Sequence, residues 1–159
     1  MKNPLAVERI PIRYADLDPY GHFSHAVYLS FFEPARTAYL RALSKNLGLG
    51  CLETGDLPGV RYIIAEATAR YKDPVYLDDP WYSAASVRSA GEQYFVMDYE
   101  LCTGGSVDEG RTVAEGTTVR VFYDPKIRSI RRCPEWFLPA VATLKGCPEE
   151  SSVPKGKGR

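Results

Sequence analysis

Both histidines of this chain, His22 and His25, fall within seven residues of Asp18. A carboxylate can attack a carbonyl carbon or act as the base that takes a proton from water. Around it, Asp18-Pro19-Tyr20-Gly21 has the order of a type I turn, with Asp first, Pro second and Gly fourth. Ser24 then stands where a helix can be capped, so the cluster lies just ahead of a helix N-terminus. The unpaired N–H groups and partial positive charge of such a terminus can hold the oxyanion that forms when a carbonyl is attacked. A thioester suits this arrangement, because a thiolate leaves without strong acid assistance. Each residue also has a plainer reading. Asp18 can be simply the first residue of the turn, His25 a surface residue of a first helical turn, and His22 a loop side chain. Asp16 can cap the turn or pair with Arg13.

To position that cluster the chain must build a helix and a sheet. Val7, Ile10, Ile12 and Tyr14 are apolar among polar neighbours, and the alternation from Ile10 onward predicts a strand over 7–14. Pro11 removes a backbone donor within it, which points to an edge position or a bulge. A long helix is expected over 24–44. Tyr28, Phe32, Ala35, Tyr39 and Ala42 share one face, and Leu29, Phe31, Leu40 and Leu43 widen it until the helix is nearly enclosed. Pro34, well inside, should bend the helix or free a carbonyl.

Gly48, Gly50, Gly55 and Gly59 mark the loop that follows. Strands are expected over 59–72, 81–90, 93–103 and 111–123, with a tight hairpin at Gly91-Glu92 and a glycine-rich loop over 103–110. Val113, Val119, Val121 and Tyr123 share one face of the last strand. A short helix is expected after Pro134. The polar, basic composition from Gly146 onward reads as a disordered tail, leaving one domain over 1–145 and a tail over 146–159. One strand, one long helix and four further strands form an α+β pattern, satisfied by an antiparallel sheet wrapped around a central helix. Such a sheet leaves edges, which proteins usually cover by pairing, so at least a dimer is expected.

Composition narrows the function. Twenty basic side chains balance twenty acidic ones, so neither nucleic acid nor an anionic membrane surface is an expected partner. No apolar run is long enough for a signal peptide or a bilayer span, and the cytoplasm is the expected location. Cys51, Cys102, Cys133 and Cys147 form no C-x-x-C pair, so free thiols are expected and a structural zinc is not. No cofactor is implied.

The run Tyr14-Ala15-Asp16-Leu17-Asp18-Pro19-Tyr20-Gly21-His22, followed by His25, Tyr28 and Phe31-Phe32-Glu33-Pro34-Ala35-Arg36, resembles the signature of the 4-hydroxybenzoyl-CoA thioesterase family. The closer likeness is to its acyl-CoA thioesterase branch associated with the Tol-Pal gene cluster. Tyr71-Lys72-Asp73-Pro74 through Asp78-Asp79 extends it more loosely. The resemblance implies a hotdog fold, a homodimer or homotetramer, an acyl-CoA substrate, and catalysis by the second aspartate of the D-x-D pair, here Asp18. It also implies that Tyr14 and His25 accompany Asp18, that Tyr28 lines the substrate site, and that the amide near His25 polarises the thioester carbonyl.

Departures are specific. Val27 stands where asparagine is usual, Pro34 interrupts the Phe-Glu-x-Ala-Arg segment, and Gly91-Glu92-Gln93 replaces a basic turn that would hold coenzyme A phosphates. Those phosphates would instead meet Arg88, or Arg131 and Arg132 with Lys126 and Arg128, unless that second group is only a solvated basic segment. Another branch uses a helix glutamate as catalyst, but Glu33 lies beyond the N-terminal donors and is expected to pair with Arg36. Two other activities remain open: a non-catalytic acyl-CoA-binding module, and an enoyl-CoA hydratase. Asp18 and His22 have the hydratase interval of four, but Phe23 follows where that loop carries proline.

Overall fold

The computed structural model describes residues 6–49, 60–78, 80–104 and 110–145. Its first strand, β1 (Ala6–Ile10), stops immediately before Pro11, which has no N–H to continue a ladder. The strand expected over 7–14 is therefore shorter, and Tyr14 falls in a 3-10 turn, Tyr14–Asp16. A second 3-10 turn, His25–Val27, leads into helix α1 (Tyr28–Asn46). Ser24, expected to cap the long helix, is the N-cap of this 3-10 turn, α1 having Val27 at that position, and its side chain makes no capping bond. The Val27 N–H is taken by the Ser24 carbonyl instead, at 3.0 Å. Pro34 lies inside α1 and cannot donate to the carbonyl four residues back. At the far end Gly48 N–H bonds Lys45 O and Leu49 N–H bonds Ser44 O. That is a Schellman closure, and Gly48 supplies its left-handed residue at φ +68°.

Four long strands follow: β2 (Tyr62–Tyr71), β3 (Trp81–Ala90), β4 (Tyr94–Thr103) and β5 (Arg111–Asp124). They fall where the sequence places them. A two-residue β6 (Ser129–Ile130) and helix α2 (Phe137–Lys145) close the described chain. The expected disordered tail over 146–159, and most of the loops over 50–59 and 105–109, lie outside the described residues. The sheet runs β1-β3-β4-β5-β2, antiparallel throughout, with β6 on β5. The strand that ends before Pro11 is thus an edge strand, where a missing donor is tolerated.

The sheet curls around α1. Phe32 is 1% exposed, stacks on Tyr99 of β4 with centroids 5.0 Å apart, and lies flat over Gly116 of β5. Gly116 and Tyr99 are register partners, so both groups under Phe32 belong to one rung of the sheet. A Cβ at Gly116 would sit 2.2 Å from Phe32 Cε2, so glycine is required there for space. Around this contact Ala35, Tyr39, Leu40 and Leu43 of α1 are buried with Ala85, Val87, Met97 and Leu101 of the sheet. Phe137 of α2 plugs the hairpin end against Phe95 and Phe122, at 5.2 and 5.1 Å.

The face of β5 that α1 covers is not the one carrying Val119, Val121 and Tyr123. Val119, Val121 and Tyr123 are half-buried on the outer side, while Ala114, Gly116, Thr118, Arg120 and Phe122 are buried on the inner side. Val113 is buried too, at a register irregularity between β4 and β5 that breaks the simple alternation.

Gly116→Ala is expected to lower stability by roughly 1–3 kcal/mol, because Phe32 has no room to withdraw from a packed core. Thermal denaturation would show it, and an unchanged melting temperature would mean that α1 and β5 approach less closely than described.

Candidate active site

The segment between β1 and α1 is built by two locks. In the first, Asp16, buried at 3% exposure, receives Arg13 N–H at 2.9 Å, Arg13 Nε at 3.2 Å and Arg13 Nη2 at 2.7 Å. Asp16 thus both caps the turn and pairs with Arg13, and these bonds hold its carboxyl below the ordinary range despite the burial. In the second, Leu17 and Phe23 form an isolated antiparallel bridge. Asp18 N–H bonds His22 O at 2.8 Å, and Gly21 N–H bonds Asp18 O at 3.0 Å. Gly21 turns the chain at φ +81° with open space around it, so glycine is needed there for conformation rather than room. Phe23 pins this miniature hairpin to the core: it is 3% exposed, stacks on Phe31 at 4.8 Å and lies against Trp81 at 5.9 Å.

Asp18 is fixed by both oxygens. Oδ1 accepts Tyr20 N–H at 2.8 Å, and Oδ2 lies 3.0 Å from His22 Nδ1. Its side chain is 22% exposed and that of His22 38%. The Tyr20 ring, 85% exposed, stacks beside His22 with centroids 6.0 Å apart.

Tyr28, the first residue of α1, is buried between Phe23 at 5.9 Å and Tyr71 at 4.7 Å. Burial first, then Tyr71 and Asp18, raise its hydroxyl pKa above the ordinary value. Tyr71, at the end of β2, donates to the His25 carbonyl at 3.3 Å. His25 itself is exposed in the second 3-10 turn, and Tyr14 is 82% exposed in the first. The histidine in contact with Asp18 is therefore His22, which the sequence left without a role. Its interval of four from Asp18 was the available signal.

The other candidates lie apart. Arg88, at the register irregularity of β3, is 3.4 Å from Asp98 on the outer face. It stands seven residues along β3 from Trp81, about 20 Å at the rise of a strand. Arg132 faces Glu92 at 3.3 Å, and Arg131 N–H bonds Phe122 O, both at the same hairpin end. Glu33 pairs with Arg36, as its spacing suggests, and its Oε1 also meets buried Arg120 at 2.8 Å. That second arginine had no sequence signal, because Val119 and Val121 mask the inner face of β5. Among the described residues Cys102 and Cys133 are free thiols. None of the described residues form a cluster of three or more groups able to hold a metal.

A long helix gripped by a curled antiparallel sheet is the hotdog architecture, of the α+β class. The sequence matches the family model of the thioesterase-like superfamily over residues 12–141, and the chain belongs to that superfamily. Among solved structures it is similar to a thioesterase from Thermus thermophilus complexed with coenzyme A and zinc. Identity is 25% and TM-score 0.73, covering 93% of this chain and 100% of that one. It is also similar to a DHNA-CoA thioesterase from Staphylococcus aureus, at 19% identity and TM-score 0.72, covering 89% and 91%. A gentisyl-coenzyme A thioesterase shares the fold at 19% identity and TM-score 0.64, covering 87% and 98%. No curated protein matches the sequence.

Proposed function

We propose that this chain hydrolyses acyl-coenzyme A thioesters to free acid and thiol, in the manner of the Tol-Pal-associated branch that its motif resembles. The observation that carries the reading is the Asp18 carboxylate, fixed in a backbone-locked turn at the entrance to α1. Asp18 supplies the negative charge for the chemistry, as nucleophile or as base for water. The N–H groups at the start of the helical segment, near His25, receive the thioester oxygen and stabilise its developing charge. Tyr14 and His25 flank the reacting group, and Tyr28 supports the acyl side.

The site is open to solvent on one chain, and a partner chain would supply its missing wall. Edge strand β2 favours this. It is paired only to β5 among the described residues, and Ile63, Ile64 and Tyr71 are 48%, 51% and 50% exposed along it. Unpaired, apolar edges of this kind invite a second strand. The assembly proposed is a homodimer joined through β2, or a tetramer of such dimers. Arg88, Arg131 and Arg132, at the far end of the sheet, would meet the phosphates of coenzyme A. No helix among the described residues is long and apolar enough to cross a membrane, and the proposed location is the cytoplasm.

Light scattering should give at least a dimer at micromolar concentration, and a stable monomer would remove the shared-site arrangement. Reversing the charges of Arg131 and Arg132 together should raise KM while changing kcat little, the pattern of lost uniform binding. An unaltered KM would place the phosphates elsewhere. The central test is Asp18→Asn, which is nearly isosteric and keeps an acceptor for the Tyr20 N–H. Turnover of acyl-CoA should fall by at least about a hundredfold with binding largely retained. Glu33→Gln should do much less. If Asp18→Asn keeps more than about a tenth of turnover while Glu33→Gln abolishes it, the catalytic carboxylate is on α1.

A further inference from the structure

The contact that thioester hydrolysis by a lone carboxylate does not explain is the one between Asp18 and His22. We propose that the two form a dyad in which Asp18 orients the imidazole and His22 Nε2 is the atom that takes the proton from the attacking water. The inference rests on the thioesterase reading above and moves the proton transfer from Asp18 itself to His22, with Asp18 as the orienting group.

Geometry supports it at each point. Asp18 Oδ2 and His22 Nδ1 are 3.0 Å apart. An imidazole that donates Nδ1–H to this carboxylate keeps its lone pair on Nε2, because an ionised carboxylate only accepts. Both residues are held independently of that contact. Asp18 N–H bonds His22 O at 2.8 Å, Asp18 Oδ1 is occupied by Tyr20 N–H, and Phe23, next to His22, is locked in the core. Tyr20 lies along one face of the ring. At 38% exposure the imidazole is reachable by water, whereas Asp18 has one oxygen committed to its own turn and the other to His22. A carboxylate so engaged is better placed to orient a base than to attack a carbonyl itself.

The step balances. Nε2 accepts one proton of water as its oxygen bonds to the thioester carbonyl carbon, and the C=O π pair moves onto the carbonyl oxygen. When the tetrahedral intermediate collapses, that pair re-forms C=O, the C–S bond breaks with its electrons on sulfur, and imidazolium returns the proton to the thiolate. The products are the carboxylic acid and free coenzyme A thiol.

The deciding variant is His22→Asn. Its side-chain amide N–H can replace Nδ1–H toward Asp18, so the turn and the carboxylate keep their partner, but nothing replaces Nε2. Full-length variants would be assayed for thiol release from a panel of short, long and aromatic acyl-CoAs, with melting temperatures measured alongside. The dyad requires kcat of His22→Asn to fall about a hundredfold or more, with KM within about threefold and the melting temperature near wild type. It also requires that added imidazole raise the turnover of His22→Ala in proportion to its concentration, while Asp18→Asn gains nothing. Wild-type turnover retained by His22→Asn would overturn the dyad and leave Asp18 as the direct catalyst. A wild-type protein that releases no thiol from any substrate would remove hydrolysis itself, and the dyad with it.

Discussion

The approach of α1 to β5 at Gly116 is the constraint on which the rest of the molecule depends. Phe32 lies flat on a backbone that carries no side chain, beside the ring of Tyr99, and is almost wholly withdrawn from water. Burying one such ring is worth about 1.5–3 kcal/mol. Its larger effect is geometric, since it sets the depth at which the helix sits in the sheet. Tyr28, one helical turn earlier, and Phe31, the preceding residue, are then brought against Phe23, and through Phe23 the turn carrying Asp18 is fastened to the core. The site is thus a consequence of helix–sheet packing transmitted through three aromatic residues.

Beside this apolar packing, α1 also meets the sheet through charge. Arg120, 3% exposed on the inner face of β5, bonds Glu33 and Tyr99 and lies over the Tyr62 ring at 5.4 Å. Arg36 shares Glu33 and donates to Tyr62 at 2.6 Å. An arginine taken out of water is tolerated only when its donors are met, and here carboxylate, hydroxyls and an aromatic face meet them. This arrangement also engages Glu33: one oxygen faces Arg36 and the other Arg120. Asp18, by contrast, has no arginine on either oxygen among the described residues: a backbone amide meets one and an imidazole lies beside the other.

The two ends of the sheet have different tasks. At the Trp81 end, Phe23, Tyr28 and Tyr71 gather around the turn, and the Tyr71 hydroxyl joins edge strand β2 to the segment that enters α1. At the hairpin end, α2 seals the core and the basic side chains gather on the surface.

What the sequence determined is what local geometry fixes. Periods of 3.6 and 2 place α1 and the four long strands, the Asp-Pro-Tyr-Gly order forms the turn, and Glu33 reaches Arg36 because three residues make nearly one helical turn. Pro11 ends β1 for an equally local reason. The tertiary structure decided which face of β5 is buried, because a register irregularity near Val113 and the need for a bare backbone beneath Phe32 outweigh the apolar pattern of Val119 and Val121. It also decided that Arg120 meets Glu33 across 87 residues, and that Tyr71 arrives from a distant strand. At the site the D-x-D motif located Asp18, while the folded turn chose His22 as its neighbour over His25. The positive φ of Gly21 and the Leu17–Phe23 bridge bring positions 18 and 22 face to face, whereas position 25 already belongs to the next turn. Spacing along a chain fixes contacts within a turn of helix. Contacts between elements depend on register and on which ring a backbone can admit, and those exist only once the chain has packed.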